Sequence, residues 1–298
     1  GKLRRAPLSL GQAFSTDLLP LASKARILTE PLRAGLGADE TAGAFLRRKF
    51  GDVAYRDLLG PLYGGLYGSD PDQMPARHGL ARTLESMGVE RSVLWRMIRA
   101  GAQAEKSLPC SFQDGLAALP IALQARLGDR VCLDRSVRVL EPSGEGWEVV
   151  LDAGERVPAS QVVLTCPAEP AANILERAAP EAAKILAGIR YNPLAVVHMR
   201  SAADLRGLGY QLALGEQFET RGVTWNHSLF GRSGLYTAYL GGMKNPAMVK
   251  RSDEEIGRIA CREFETVTGH AAEALMVSRT RMPAWDQSWD ALPDLDLP

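Results

Sequence analysis

The residue types that most often carry catalysis are present in this sequence, but without the spacing that catalysis or metal binding requires. The four histidines form no HxH or HExxH pair and the four cysteines form no CxxC pair, so neither a zinc site nor a disulfide framework is indicated. No serine stands in a GxSxG elbow, and no GxxxxGK[ST] phosphate loop occurs. We therefore assign no metal and no catalytic residue, and expect surface or hydrogen-bonded core positions for the histidines. The residues concerned are His78, His198, His227, His270, Cys110, Cys132, Cys166 and Cys261.

Composition and charge exclude several classes of protein. The 298 residues are 46% apolar and 23% charged, which is typical of a chain with a hydrophobic core and excludes general disorder. Basic and acidic residues balance at 35 each, so the chain shows no electrostatic signature of nucleic-acid binding. Residues 1–100 nevertheless carry 15 basic and 10 acidic residues, and this region could face something anionic.

The expected location follows from three sequence features. The cysteines are far apart, no apolar run reaches about 18 residues, and the N-terminus lacks the pattern of a signal peptide. We therefore expect a cytoplasmic protein with no spanning helix.

The first third of the chain is predicted to be helical with irregular connections. Its apolar residues recur at helical spacing, and β-branched residues are few. Gly64, Gly65 and Gly68 predict a tight loop in which the backbone approaches another group closely or adopts positive φ. The basic run Arg47–Lys49 predicts a solvated helix face, with an anionic surface or substrate as the alternative.

The pattern changes at Pro109, after which a helix is predicted to lead into a compact β-meander. Apolar residues recur at helical spacing over Gly115–Leu127. Short strands separated by turns follow, and the last is a continuous apolar run, which is typical of a buried strand. The predicted strands are Val131–Leu133, Val137–Leu140, Trp147–Leu151 and Val162–Thr165.

From residue 169 onward, helices are predicted to alternate with longer strands. Tyr191–Met199 and Leu235–Leu240 have the pattern of strands. Ser252–Glu255 forms a capping box for a helix that runs to Gly269. The predicted fold class is a mixture of α+β and α/β, with no repeat and no low-complexity linker.

One longer pattern is more specific than any single residue. Residues 111–123 read SFQDGLAALPIAL, which resembles the segment F-x-x-G-[GL]-x-x-L-P-x-A-L of the protoporphyrinogen oxidase family, within the flavin-dependent amine oxidase superfamily. The resemblance continues in order on both sides and spans nearly the whole chain. Its further segments are Ser23–Arg26, Glu30–Pro31, Asp39–Glu40, Phe45–Gly51, Pro61–Pro71, Gly207–Tyr210, Trp225–Phe230, Tyr239–Gly242 and Trp289–Pro293.

The sequence departs from the family after Phe230. The family usually continues there with Pro and then R-A-P, whereas this chain has Gly231–Gly234. This difference leaves the identity of the substrate open.

The resemblance implies an FAD-linked, amine-oxidase-like fold that this chain contains in part. Residues 1–108 would be a helical insertion that shapes the substrate entrance and touches a membrane surface. Residues 109–168 would be a fragment of the FAD-binding domain, and residues 169–298 a substrate-binding domain with a sheet of mixed strand direction. Because the family's N-terminal GxGxxG unit and C-terminal flavin segment are missing, we expect the central portion of a longer flavoenzyme, which alone binds FAD poorly and is incomplete for activity.

The resemblance also implies a reaction and its site residues. FAD would accept hydride equivalents from protoporphyrinogen IX or coproporphyrinogen III in haem biosynthesis, and O2 would reoxidise the flavin. Val137 matches a family valine whose backbone meets the FAD adenine, and Phe230 matches an aromatic residue of the family's substrate pocket. Without the resemblance, an ordinary position in the core of a strand explains Val137 as well as contact with FAD does. For Phe230, a position in the hydrophobic core is then a better explanation than contact with a substrate. The other implied partners are a membrane surface, on which the protein would be peripheral, and a second copy of the chain.

Two further functions stay open at this point. Another oxidoreductase of the superfamily, such as an amine oxidase or a desaturase-like enzyme, would share the FAD-side segment but would not need the glycine-rich segment Pro61–Pro71. A non-catalytic module is favoured by the missing cofactor-binding ends.

Overall fold

The computed structural model describes residues 3–7, 10–100 and 110–295, which divide into two compact units. The first unit combines the described part of Gly1–Pro109 with Tyr191–Gln287, and the second combines Cys110–Arg190 with the described part of Ser288–Pro298. Pro109, where the sequence pattern changes, lies outside the described residues. The predicted functional division at residues 108 and 168 stays a prediction.

Helices and strands occur in both units. No described helix has the length and apolar character needed to cross a bilayer. The helices are α1 (Leu10–Ser15), α2 (Leu21–Leu28), α3 (Ala42–Phe50), α4 (Asp52–Ala54), α5 (Gly60–Tyr67), α6 (Leu80–Ser86), α7 (Val93–Ala100), α8 (Ala118–Leu127), α9 (Ala168–Leu175), α10 (Pro180–Ala187), α11 (Asn226–Phe230) and α12 (Asp253–Thr268). The strands are β1 (Val137–Ser143), β2 (Gly146–Leu151), β3 (Arg156–Ala159), β4 (Tyr191–Arg200), β5 (Gly209–Gln211), β6 (Thr220–Thr224), β7 (Leu235–Gly241) and β8 (Glu273–Pro283).

The glycine-rich segment is a helix and not the tight loop that its sequence predicts. A π-turn, Tyr55–Leu59, joins α4 to α5 in one continuous helix, and Gly64 and Gly65 lie inside α5. Close approach explains both glycines, since a Cβ on Gly64 would lie 2.9 Å from the carbonyl oxygen of Ser69. Gly68 ends the helix in the left-handed conformation, with φ of 59°.

A buried ion pair joins the helices of the first unit. The Lys49 ammonium lies 2.7 Å from the Glu30 carboxylate, and neither side chain has exposed surface. Lys49 also donates to the carbonyl oxygens of Arg33 at 3.1 Å and Arg91 at 2.5 Å, while Glu30 accepts from the Ser92 hydroxyl at 2.5 Å. These hydrogen bonds satisfy both charges, as burial requires.

The prediction of a solvated face for the basic run Arg47–Lys49 is therefore wrong. Lys49 is buried, and Arg47 and Arg48 pair with Asp72 and Glu40, each at 2.6 Å. The acidic partners are distant in sequence, so local spacing could not reveal them.

The first unit contains a five-stranded sheet whose order is β5-β6-β7-β4-β8. Every pairing between described strands of this sheet is antiparallel. The expected mixture of strand directions is therefore wrong: β7 and β8 run in the same direction, but β4 lies between them and opposes both. The strands predicted at Tyr191–Met199 and Leu235–Leu240 are confirmed as β4 and β7.

The main core lies between one face of this sheet and α12. The capping box is confirmed, because the Ser252 hydroxyl accepts a hydrogen bond from the Glu255 amide at 3.2 Å, and Gly269 ends the helix with φ of 76°. Alternate residues of β4 and β7 face α12, which is the period of two expected for strands. The buried residues include Ala195, Val197, Met199, Tyr236, Ala238, Leu240, Ile256, Ala260 and Phe264.

The second unit is built on the antiparallel sheet β1-β2-β3. A two-residue turn at Gly144-Glu145 joins β1 to β2, with φ of 59° at Gly144. Helices α9 and α10 pack against one another and contribute to a small core that contains Leu140, Ala172, Leu175 and Ala183. None of the ten residues of α8 is buried.

Two strands predicted in the second unit are wrong. Val131–Leu133 and Val162–Thr165 are not strands, and Arg156–Ala159 supplies the third strand of the sheet. Val163, expected to be buried, is 84% exposed. An apolar run forms a strand only where a neighbouring strand pairs with it, and no described strand pairs with either segment.

Candidate functional site

A cavity of about 1000 Å³ lies within the first unit. One wall is formed by α5 and the segment Gly68–Gln73 that follows it, and the other by the sheet face opposite α12. The cavity is lined by both apolar and polar side chains, among them Leu62, Leu66, Leu194, Gln211, Thr224 and Tyr239.

The pleat of the sheet determines which side chains reach the cavity. Val223 and Ala238 face the α12 core, whereas the neighbouring Thr224 and Tyr239 line the cavity. The Thr224 hydroxyl donates to the Tyr239 hydroxyl at 3.4 Å. This wall therefore presents the Tyr239 ring to the cavity, with the hydroxyl groups of Tyr239 and Thr224 at its edge.

Two glycines allow α5 to approach the sheet closely. A Cβ on Gly65 would lie 2.7 Å from Oε1 of Gln211, and a Cβ on Gly222 would lie 2.6 Å from the same atom. The exposed Gln211 side chain thus lies against one position of α5 and one position of β6 that carry no side chain. It makes no hydrogen bond to another described side chain or backbone group.

Most cationic side chains of the cavity already have a partner. Arg47 lies 2.6 Å from Asp72 and stacks over the Tyr55 ring at 4.2 Å. Arg56 makes two hydrogen bonds to the Asp57 carboxylate, at 2.6 and 2.8 Å.

Arg221 differs from the other cations. It sits at an irregularity between Thr220 and Gly222 where the register of β6 against β7 shifts, and it lines the cavity while being partly buried. Burial lowers the pKa of its guanidinium, and the charge of Asp70 opposes that effect. No ion pair or side-chain hydrogen bond joins Arg221 to another residue of the described chain.

The Tyr55 phenol is a donor and not a base. Burial, followed by the negative charge of Asp72, raises the pKa of Tyr55 well above its ordinary value. Within the described residues, the Tyr55 hydroxyl and the Asp72 Oδ1 atom are buried without a hydrogen-bond partner. The phenol therefore stays protonated at neutral pH.

Val137 lies in the second unit, where the residues present fit part of a flavin dinucleotide. It begins β1, an edge strand of the three-stranded sheet, and its side chain packs against the small core. An edge strand offers backbone N–H and C=O groups, which is what contact with a flat base requires. The role of Val137 itself stays a prediction.

Phe230 is the last residue of α11, in the first unit. It is partly buried, and the Arg232 guanidinium lies 5.8 Å from the centroid of its ring. It is not among the residues that line the cavity. Its role in substrate binding also stays a prediction.

Sequence reasoning missed Gln211, Arg221 and Tyr239 as cavity residues. Tyr236, Ala238 and Leu240 face the core. Because side chains alternate along a strand, this pattern in β7 could have placed Tyr239 on the cavity face. Nothing in the sequence marks the irregularity at Arg221. No group of three potential metal-ligating side chains occurs among the residues described.

Comparison with known proteins places the chain among flavoproteins. The model of the family described as flavin containing amine oxidoreductase matches residues 1–292. The chloroplastic protoporphyrinogen oxidase of Nicotiana tabacum is 27% identical over 310 residues, which cover 89% of this chain and 55% of that protein. Coproporphyrinogen III oxidase of Bacillus subtilis (strain 168) is 24% identical over 307 residues, which cover 97% of this chain and 65% of that protein.

A solved structure agrees with these matches. A candidate protoporphyrinogen oxidase from Exiguobacterium sp. 255-15 has a TM-score of 0.70 and 22% identity, and the match covers 94% of this chain and 64% of that one. The predicted amine-oxidase-like fold of mixed α+β class is confirmed. The chain spans about half the length of the chloroplastic relative. It belongs to the flavin containing amine oxidoreductases, its cofactor is FAD, and its predicted resemblance to protoporphyrinogen oxidases is confirmed.

Proposed function

We propose that the whole protein oxidises a porphyrinogen to a porphyrin. The cavity carries the proposal, because about 1000 Å³ is at the upper end of small-molecule sites and suits a large, flat ligand. The relatives from Nicotiana tabacum and Bacillus subtilis have the names of porphyrinogen oxidases. The proposed substrate is protoporphyrinogen IX or coproporphyrinogen III, and the proposed final oxidant is O2.

The cavity walls suit an apolar macrocycle with polar substituents. Leu62 and Leu66 of α5 are exposed large apolar residues that line the cavity. Tyr239 presents a ring from the opposite wall. Burying a macrocycle between these surfaces removes apolar area from water and excludes solvent from the saturated bridges that are oxidised.

The chain's own residues bind and orient the substrate. FAD, when bound, accepts the hydride equivalents that leave the saturated bridges. Three two-electron steps convert the porphyrinogen into the porphyrin, with three O2 molecules reduced to peroxide. Because the Tyr55 phenol is protonated at neutral pH, it serves as a hydrogen-bond donor beside the cavity and takes no proton.

The full-length protein loaded with FAD tests this proposal. Under anaerobic conditions it is mixed with protoporphyrinogen IX, coproporphyrinogen III or putrescine, and flavin absorbance is followed. Bleaching by a porphyrinogen, with porphyrin fluorescence and O2 uptake after air is admitted, is the expected result. Bleaching by the amine alone would identify an amine oxidase instead, and a full-length protein that holds no flavin would identify a non-catalytic module.

We further propose that the N-terminal helical part contacts an anionic membrane surface. Leu21, Leu28 and Leu32 are exposed, and Lys24 and Arg26 lie between them in the sequence. Exposed apolar residues with basic neighbours bind the headgroup region of anionic bilayers. Cytoplasmic location and dimer formation stay predictions.

Vesicle sedimentation checks the membrane proposal. The double variant Leu21→Ser/Leu32→Ser should bind phosphatidylglycerol vesicles more weakly than the unaltered protein. The variant Leu208→Ser, which changes an exposed leucine next to β5, should bind as well as the unaltered protein. Equal binding by all three proteins, or none by the unaltered protein, would contradict the proposal.

A further inference from the structure

Two of the cations that line the cavity, Arg221 and Lys244, form no ion pair with a described residue, and Arg221 also makes no side-chain hydrogen bond to one. Arg47 and Arg56 each contact a carboxylate at 2.6 Å, and the Lys244 ammonium donates to the carbonyl oxygen of Glu216 at 3.3 Å. Arg221 has no such contact. A partly buried guanidinium that has no ion pair loses hydration without a contact that replaces it, unless a ligand supplies the missing anion.

The local backbone presents this side chain to the cavity. The register irregularity at Arg221 interrupts the pairing of β6 with β7, and such bulges redirect a side chain at sheet edges and functional sites. On the other side of β6, the Arg221 carbonyl oxygen accepts from the Leu212 amide at 3.2 Å, so β5 anchors the bulged residue.

A second polar group lines the same cavity. Gln211 is the β5 partner of Gly222, and its side chain is exposed, lies against Gly65 and Gly222, and makes no hydrogen bond to a described residue. A guanidinium and an amide that line one cavity, both with donors that no described residue uses, match the two oxygens of a carboxylate.

We infer that Arg221 binds a carboxylate of the substrate and that Gln211 assists it. This inference rests on the proposed function, since porphyrinogens of haem synthesis carry propionate side chains. It also specifies the substrate class: an unpaired guanidinium attracts an anionic substrate and repels the ammonium group of an amine. Asp70 lines the same cavity and its charge acts on Arg221, but the two side chains form no ion pair, and the Asp70 Oδ1 atom accepts from the Asp72 amide at 3.1 Å.

Porphyrin binding by the full-length, FAD-loaded protein tests the inference. The probes are coproporphyrin III, with four carboxylates, and its tetramethyl ester, which has none. Arg221→Gln should weaken binding of the acid by about tenfold or more, since a charge-assisted pair is lost, and leave binding of the ester unchanged. Arg221→Lys should retain part of the affinity, and KM for a porphyrinogen should rise more than kcat falls.

Arg258→Gln is the matched control, because Arg258 is an exposed residue of α12, on the other side of the sheet. Its binding of both probes should equal that of the unaltered protein. Melting temperature and flavin content show whether each variant is folded. Should Arg221→Gln fail to fold, the unaltered protein still decides, since equal affinity for acid and ester would refute the inference.

Unchanged affinity of a folded Arg221→Gln variant for coproporphyrin III would also refute it, while leaving porphyrinogen oxidation intact. If the unaltered protein binds neither probe and no porphyrinogen bleaches its flavin, the proposed function fails, and the inference fails with it.

Discussion

The two compact units differ in the size of their buried apolar cores. In the first unit, Tyr236, Leu240 and Phe264 have no exposed surface, because α12 covers one face of the five-stranded sheet. In the second unit, Leu116 and Ile121 are 71% and 63% exposed. Apolar burial therefore stabilises the first unit strongly and the second unit weakly.

The described part of the first unit also exposes apolar side chains, among them Leu21 and Leu32, but it contains two buried apolar clusters where that of the second unit contains one. Contiguous exposed apolar patches usually mark contacts with another segment or molecule. The small core around Leu140 and Leu175 holds the meander together, but α8 contributes nothing to it. The following substitutions measure the difference, from the largest expected effect to the smallest.

Phe264→Ala should produce the largest loss of stability. It leaves a cavity in the core beneath the sheet, and such truncations cost about 3–5 kcal/mol. The matched variant Ile121→Ala in α8 should change the free energy of unfolding by less than about 0.5 kcal/mol, as exposed positions do. Urea denaturation measures the free energy of unfolding of both variants. A comparable loss for the two variants would show that apolar burial does not distinguish the two units.

Lys49→Met should be the next most damaging change. It leaves the Glu30 carboxylate buried without its cation, and the loss of one partner of a buried ion pair costs about 3–5 kcal/mol. The Ser92 hydroxyl still donates to the Glu30 carboxylate in this variant. We therefore expect a loss of stability at the lower end of that range. Arg135→Met, which removes an exposed pair with Glu155 in the second unit, should have no measurable effect on thermal unfolding. A Lys49→Met protein with an unaltered melting temperature would contradict this account.

Acid should destabilise the first unit through Glu30. Burial raises the pKa of this carboxyl, but hydrogen bonds from Lys49 and Ser92 outweigh it and leave the pKa below its ordinary value of 4.5. The stabilisation of the fold by ionised Glu30 is therefore complete above the pKa of this carboxyl in the unfolded chain. It is lost as pH falls through the lower pKa of the carboxyl in the folded protein. Denaturation curves between pH 7 and pH 3 measure it. Glu30→Gln should flatten this dependence; an unchanged pH dependence would exclude Glu30 as its source.

Apart from the control variants, the smallest effect is expected for Arg156→Ala in the second unit. Arg156 pairs with Glu141 and Glu148 across the surface of the meander, and exposed ion pairs stabilise little. Any decrease in melting temperature should disappear in 0.5 M salt, because salt screens exposed charges. A large decrease that persists in salt would show that the Arg156 side chain stabilises this sheet by more than an exposed ion pair that salt can screen.

The sequence predicts elements well where the signal is local, and poorly where it depends on distant partners. Ser252 and Gly269 mark both ends of α12 because capping uses neighbouring backbone groups. The burial of Lys49 depends on Glu30 and on carbonyl groups from residues as distant as Arg91. Val163 fails as a strand residue for the same reason, since a strand needs a neighbour to pair with.

The same distinction applies to the site. The sequence predicts close backbone approach at Gly64 and Gly65, and the structure shows it, although the predicted loop is a helix. Tyr239 could have been assigned to the cavity face from alternation alone. Arg221 could not, because a bulge is a property of two paired strands and has no signature in one of them.

The irregularity at Arg221 also has a dynamic consequence. Because the ladder between β6 and β7 is interrupted there, backbone amides of β6 near the bulge should exchange with deuterium by local opening, long before the amides of β4 and β7 in the centre of the sheet. A ligand held by the Arg221 side chain would oppose that opening. Hydrogen exchange in β6 would then report occupancy of the cavity without any measurement on the flavin.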